Sequence, residues 1–142
     1  MSRIAETFAR LRRDGRPGLV TYTTAGDPDL PRSADILRAL DRAGADVLEV
    51  GVPFSDPLAD GPVIQRATER ALAAGANLRE TLRMIASVRA DVRAPIVLFS
   101  YANPLVRMGL PAFAREAAAA GVDGVLALDL PIEEAEDFRR IL

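Results

Sequence analysis

The chain has no cysteine, no histidine and no tryptophan, and all 18 of its basic residues are arginine. Each absence closes a chemical route. Without cysteine there is no disulfide, no thiolate ligand and no thiol nucleophile. Without histidine there is no imidazole base, His-built triad or imidazole metal site. Without lysine there is neither a Schiff base nor a phosphate-loop lysine. Proton-transfer chemistry must fall to Asp, Glu or Tyr. A charge excess is also lacking: 18 basic residues against 20 acidic ones leave a net charge of −2, with only two Tyr and five Phe. That balance argues against a nucleic-acid surface. No apolar run approaches the about 18 residues of a membrane span. The opening "MSRIAETFARLRRDG" is charged and amphipathic, without a signal peptide's apolar region. The expected location is the cytoplasm.

What is present is a chain of 142 residues, half of them hydrophobic, which suits one domain over residues 1–142 with a sizeable core. Short apolar runs at 18–24, 46–51, 95–101 and 124–129 read as strands. Between them, 30–43, 62–74, 78–90 and 111–120 carry helical patterns, with further helices over 3–13 and from 132 onward. Strands alternating with helices of this length predict βαβ units and a parallel sheet. Two segments repeat one plan. "AGADVLEVGVP" (43–53) and "AGVDGVLALDLP" (120–131) both run helix end, Gly, Asp, apolar strand, Pro. Gly44 and Gly121 fit helix ends that need positive φ. No Gly-x-Gly-x-x-Gly follows a strand, so a (β/α)8 barrel is favoured over a dinucleotide-binding sheet. A complete barrel takes about 250 residues. The expected structure is therefore the first four βα units plus an N-terminal helix, half a barrel with open edges on its first and last strands.

The stretch "LEVGVPFSDPLADGP" (48–62) places a charge inside an apolar run. With a period of two, Val47, Glu49 and Gly51 share one strand face and Leu48 and Val50 the other. Setting Leu48 and Val50 under the helices turns Glu49 toward the lumen, near the strand's C-terminal end, where barrel active sites lie. The same alternation groups Val20, Tyr22 and Thr24 on the first strand, and Val97, Phe99 and Tyr101 on the third. A desolvated glutamate there is suited to giving and taking a proton. The plainer reading pairs it with an arginine or turns it outward at a bulge. Asp60 also has two readings, a pocket carboxylate or an N-cap before the helix at 62. Capping or turn chemistry is the expectation for Asp27 and Asp56, and Asp129 is a candidate pocket residue at the end of the fourth strand.

The run "LEVGVPFSDPLADGPVIQ" (48–65), with "TAGDPD" (24–29), "SYANP" (100–104) and "AGVDGVLALDLPIEE" (120–134), closely resembles the alpha subunit family of tryptophan synthase. The resemblance implies a (β/α)8 barrel lyase that cleaves indole-3-glycerol phosphate to indole and glyceraldehyde 3-phosphate by retro-aldol chemistry, in tryptophan biosynthesis. It implies that Glu49 is the catalytic acid and base, and that Asp60 accepts the indole N–H. It places Tyr22, Phe99 and Tyr101 near the indole pocket, where simple barrel packing is the competing reading. The implied partner is a beta subunit, with which the family forms an α2β2 heterotetramer. Pyridoxal phosphate is expected on that beta subunit and no cofactor on this chain. Segments 53–61, 103–106 and 130–134 match the family's interface with it.

The family's phosphate-holding glycine-rich loops follow later strands, and nothing in these residues corresponds to them. The sequence is thus expected to represent the N-terminal half of an alpha subunit, with its own activity weakened by loss of the phosphate anchor. Two rivals remain. One is a related phosphate-binding barrel such as indole-glycerol-phosphate synthase, against which the missing lysine speaks. The other is a non-catalytic half barrel that pairs through its open edges.

Overall fold

In the computed structural model, which describes residues 2–142, the four apolar runs form β1 (Val20–Thr24), β2 (Val47–Gly51), β3 (Ile96–Ser100) and β4 (Gly124–Ala127). All pair in parallel, side by side in chain order. Among the described residues seven α-helices accompany them: α1 (Arg3–Asp14), α2 (Leu30–Ala43), α3 (Pro62–Ala73), α4 (Leu78–Val88), α5 (Ala102–Met108), α6 (Leu110–Ala120) and α7 (Glu136–Ile141). Helix ends follow local chemistry. Ser2, Asp29 and Asn77 each accept the backbone N–H three residues on, capping α1, α2 and α4. Gly44 and Gly121 close α2 and α6 at φ 97° and 82°, as their place in the repeat predicts.

Alternation divides the sheet as expected. Leu48, Val50, Ile96 and Leu98 are fully buried on the face covered by helices, where Leu37, Ile85, Val88, Leu105 and Phe113 meet them. Burial on this scale is worth about 1.5–3 kcal/mol for each large side chain and is the main source of stability. The opposite face carries Tyr22, Glu49, Val97 and Phe99, all half-buried, and its outermost members Val20 and Leu126 are exposed. That concave face is the inner wall of the half barrel.

The repeated segments prove equivalent in three dimensions. Asp46, just before β2, accepts the Leu19 N–H at 2.9 Å and holds Arg16 through both carboxylate oxygens. Asp123, just before β4, accepts the Ile96 N–H at 2.9 Å and pairs with Arg89 at 3.2 Å. Each aspartate satisfies a backbone donor at the start of the neighbouring strand, which would otherwise be left without a partner.

One helix lies outside the patterns read from the sequence and two local expectations change. Residues 102–108 form a helix, with Pro104 in its first turn, where a missing N–H costs nothing. β4 ends at Ala127, and Asp129 lies in the following turn, where its carboxylate accepts the Ala102 N–H at 2.7 Å. Asp27 does not cap α2, which is Asp29's role. Instead it forms a two-pronged ion pair with Arg70 of α3, both contacts at 2.8 Å.

Candidate active site

Register sets out the inner wall in rows. Tyr22, Glu49, Val97 and Gly124 stand side by side across the four strands, and Thr24, Gly51, Phe99 and Leu126 form the next row toward the C-terminal mouth. Glu49 therefore occupies the second strand's inner face, one row below the rim, flanked by an aromatic and a β-branched neighbour. No arginine pairs with it among the described residues, and no bulge interrupts β2, so the two structural alternatives for this charge find no support.

Tyr22 leans across β2. A Cβ built on Gly51 would lie 2.1 Å from the Tyr22 hydroxyl, so the phenol rests where only glycine leaves room. Its ring then meets Phe99 edge-on, with centroids 5.2 Å apart and an interplanar angle of 76°. Three strands thus contribute to one aromatic bridge over the row that holds Glu49. Burial lifts the Tyr22 phenol above the ordinary tyrosine range, and the nearby negative charge of Asp60 and Glu49 adds to the effect.

Asp60 sits at the end of the 53–61 loop that follows β2. It is half-buried and caps nothing: α3 begins after Gly61 with no side-chain cap. Its carboxylate turns instead to Tyr101, whose hydroxyl donates to Oδ2 at 3.2 Å. The same hydroxyl accepts the Ala59 N–H at 2.8 Å. Tyr101 lies one residue past β3, is only 4% exposed, and packs its ring against Phe54 at 5.3 Å. Burial, followed by the charge of Asp60, raises its phenol above the ordinary value.

Glu49, Tyr22 and Phe99 are thus gathered on the inner wall, and Asp60 and Tyr101 at the rim beside it. Asp56 is exposed on the loop surface. Sequence reasoning did not single out Gly51 as the seat of Tyr22 or Phe54 as the support of Tyr101. A glycine at an inward position beside a glutamate was the available signal for the first. Among the described residues no group of three or more His, Cys, Asp or Glu could hold a metal ion. A cleft of about 420 Å³ opens between α6, β4 and α7, but it includes neither carboxylate, which face an open concave wall instead.

The rim also carries exposed aliphatic side chains. Leu58 after β2, Val106 after β3 and Ile132 after β4 are 84%, 57% and 83% exposed. No helix among the described residues is long and apolar enough to cross a membrane.

Parallel strands in chain order with helices outside them define half of a (β/α)8 barrel, with carboxylates at the C-terminal ends of its strands. Residues 8–142 match the family described as tryptophan synthase alpha chain, and the chain belongs to that family. It is 57% identical over 139 residues to the tryptophan synthase alpha chain of Burkholderia cenocepacia, covering 97% of this chain and 51% of that protein. The corresponding chain of Burkholderia mallei is 56% identical over the same length. Among solved structures, tryptophan synthase subunit alpha from Legionella pneumophila superposes with a TM-score of 0.96 at 44% identity, over 99% of this chain and 54% of that one. A tryptophan synthase structure from M. tuberculosis, in its aminoacrylate-bound form, gives 0.94 at 40% identity, over 99% and 57%. The chain spans about half the length of the curated relatives it matches.

Proposed function

We propose that these residues form the acid/base side of a carbon–carbon lyase that cleaves indole-3-glycerol phosphate to indole and glyceraldehyde 3-phosphate. The observation that carries the reading is Glu49, a half-buried carboxylate without an arginine partner, on the inner wall under an aromatic bridge. In this reading Glu49 protonates the indole ring carbon at which the bond will break, while Asp60 accepts the ring N–H and stabilises the positive indolenine. Glu49, left as a carboxylate once it has given its proton to the ring carbon, takes the proton of the adjacent glycerol hydroxyl and so lets the carbon–carbon bond cleave. Its electron pair returns to the indole ring and the hydroxyl carbon leaves as the aldehyde. Tyr22 and Phe99 offer apolar surface to the flat ring, and Tyr101 stands behind Asp60.

No cofactor is assigned to this chain. Pyridoxal phosphate belongs to the beta subunit, the partner in this reading, for which the exposed Leu58, Val106 and Ile132 provide apolar contact at the rim. The cytoplasm is the compartment that goes with this role in tryptophan biosynthesis. The whole of residues 2–142 acts as one structural unit, its four strands joined in a single sheet.

The test is indole release from indole-3-glycerol phosphate by the protein as the cell makes it, alone and with a beta subunit. Glu49→Gln should lower the rate by about 10²–10⁴-fold, the usual weight of one general acid/base. Retention of the rate to within a few-fold would remove Glu49 from the chemistry and the reading with it. The rival that uses a catalytic lysine finds none within residues 1–142. A paired half barrel is favoured by a different observation: β1 and β4 each have one sheet neighbour. It predicts a two-copy assembly of residues 1–142, read by sedimentation; a monomer at all concentrations would rule it out.

A further inference from the structure

We propose that Tyr101 is the positioning residue for Asp60, its hydroxyl locking the carboxylate and the 53–61 loop to the end of β3 rather than serving as a wall of the substrate pocket. The proposal rests on the functional reading above and deepens it. Three contacts converge on one side chain. The ring is buried against Phe54, at the beginning of the loop. The hydroxyl accepts from the Ala59 N–H at 2.8 Å, near the loop's end, and donates to Asp60 Oδ2 at 3.2 Å. A hydroxyl has one proton to give, and the Ala59 N–H occupies the acceptor side. The proton is therefore directed to Asp60.

The geometry divides the carboxylate between two partners. Among the described residues Oδ1 has no hydrogen-bond partner, so Tyr101 occupies one carboxylate oxygen and leaves the other for substrate. The loop around Asp60 has little else to hold the side chain. The Gln65 amide donates to the Asp60 carbonyl at 2.8 Å and the Asp60 N–H donates to the Pro57 carbonyl at 3.1 Å, and both fix backbone rather than carboxylate. Without Tyr101 the carboxylate is free to rotate. A loss of alignment on that scale costs up to about 100-fold in rate.

A pocket wall and a positioning residue make different predictions. A wall touches substrate, so its loss raises KM and adds to the loss from Asp60. A positioning residue acts through Asp60, so its loss vanishes once Asp60 is gone. The experiment compares Tyr101→Phe, Asp60→Asn and the double variant by kcat and KM for indole release, in the protein as the cell makes it with a beta subunit present. Tyr101→Phe keeps the ring and its packing on Phe54. It is expected to lower kcat about 10–100-fold with KM little changed, and to add less than about twofold to the loss from Asp60→Asn. Additive losses, or a rise in KM with kcat unchanged, would overturn the proposal.

A second measurement does not depend on catalysis or on the variant of Tyr101 folding. The Tyr101 phenol can be followed by NMR on tyrosine-labelled protein. Asp60→Asn should lower the titration midpoint of Tyr101, because the negative charge that opposes phenolate formation is removed. An unmoved Tyr101 midpoint would overturn the contact itself. Failure of Glu49→Gln to reduce the rate would instead bear on the lyase reading and leave this titration result standing.

Discussion

Gly51 shows how much one missing carbon decides. With no Cβ, it leaves a place for the Tyr22 hydroxyl, and with it the edge-on contact to Phe99 that bridges the inner wall. A methyl group at this point cannot coexist with the phenol where it lies, so one of them must move. Gly51→Ala should destabilise the protein by about 1–3 kcal/mol, the usual cost of overpacking, measured as a shift in the urea midpoint. It should also abolish the near-ultraviolet circular dichroism arising from the Tyr22–Phe99 pair. An unchanged aromatic spectrum would mean that Tyr22 rests elsewhere. Glu49 is a different case on the same strand. Its face follows from alternation, whereas its freedom from any arginine follows from where 18 arginines happen to fall in space.

Among the elements, the sheet is held at its N-terminal end by paired devices built on the internal repeat. Asp46 ties β2 to the start of β1, and Asp123 ties β4 to the start of β3. Arg89, at the end of α4, extends the second device. Its guanidinium reaches Asp123 and the carbonyls of Val92, Ala94 and Gly121, drawing α4, β3 and the end of α6 together. The side chain is 13% exposed, and burial depresses its pKa from the ordinary arginine value. Arg89→Met keeps most of the stem and removes the hydrogen bonds. It leaves the half-buried Asp123 with only the more exposed Arg3 as a cationic neighbour, at 3.8 Å. The expected loss is about 3 kcal/mol in urea unfolding with an unchanged m-value. A loss below about 0.5 kcal/mol would show that α4 docks by apolar packing alone.

At the scale of the whole molecule, ionisable groups confine stability to a middle range of pH. Asp46 and Asp27 lie below the ordinary carboxylate value, chiefly through hydrogen bonds from Arg16 and Arg70. A lowered folded-state pKa means that their stabilisation is fully present above the ordinary carboxylate range. It is lost as pH falls through the lowered values. Tyr22 and Tyr101 are raised, chiefly by burial. Their contribution is complete below the ordinary tyrosine value, near 10, and is lost as pH rises through the raised values. The urea midpoint should therefore plateau between these limits and fall on both sides. Asp46→Asn should cost about 2 kcal/mol at neutral pH, where charged hydrogen bonds to Arg16 and the Leu19 N–H are lost, and should flatten the acid limb. An acid limb of unchanged slope in that variant would assign acid unfolding to other carboxylates.

What the sequence by itself determined is whatever local pattern controls. Apolar alternation set the four strands, the buried face of Leu48 and Val50, and the inward face of Glu49, and Gly44 and Gly121 marked helix ends. These signals act over a few neighbouring residues, so they can be read without a fold. Tertiary structure alone decided the partners of side chains in turns and loops. Asp60 could have capped α3, yet it meets Tyr101, 41 positions away in the chain. Asp27 looked like a cap and instead meets Arg70, 43 positions away. Tyr101 continued the alternation of β3 on paper, but the strand ends at Ser100 and its side chain serves the neighbouring loop. A loop carboxylate has several local hydrogen-bonding options of nearly equal energy, and the choice falls to the donor that folding brings within reach.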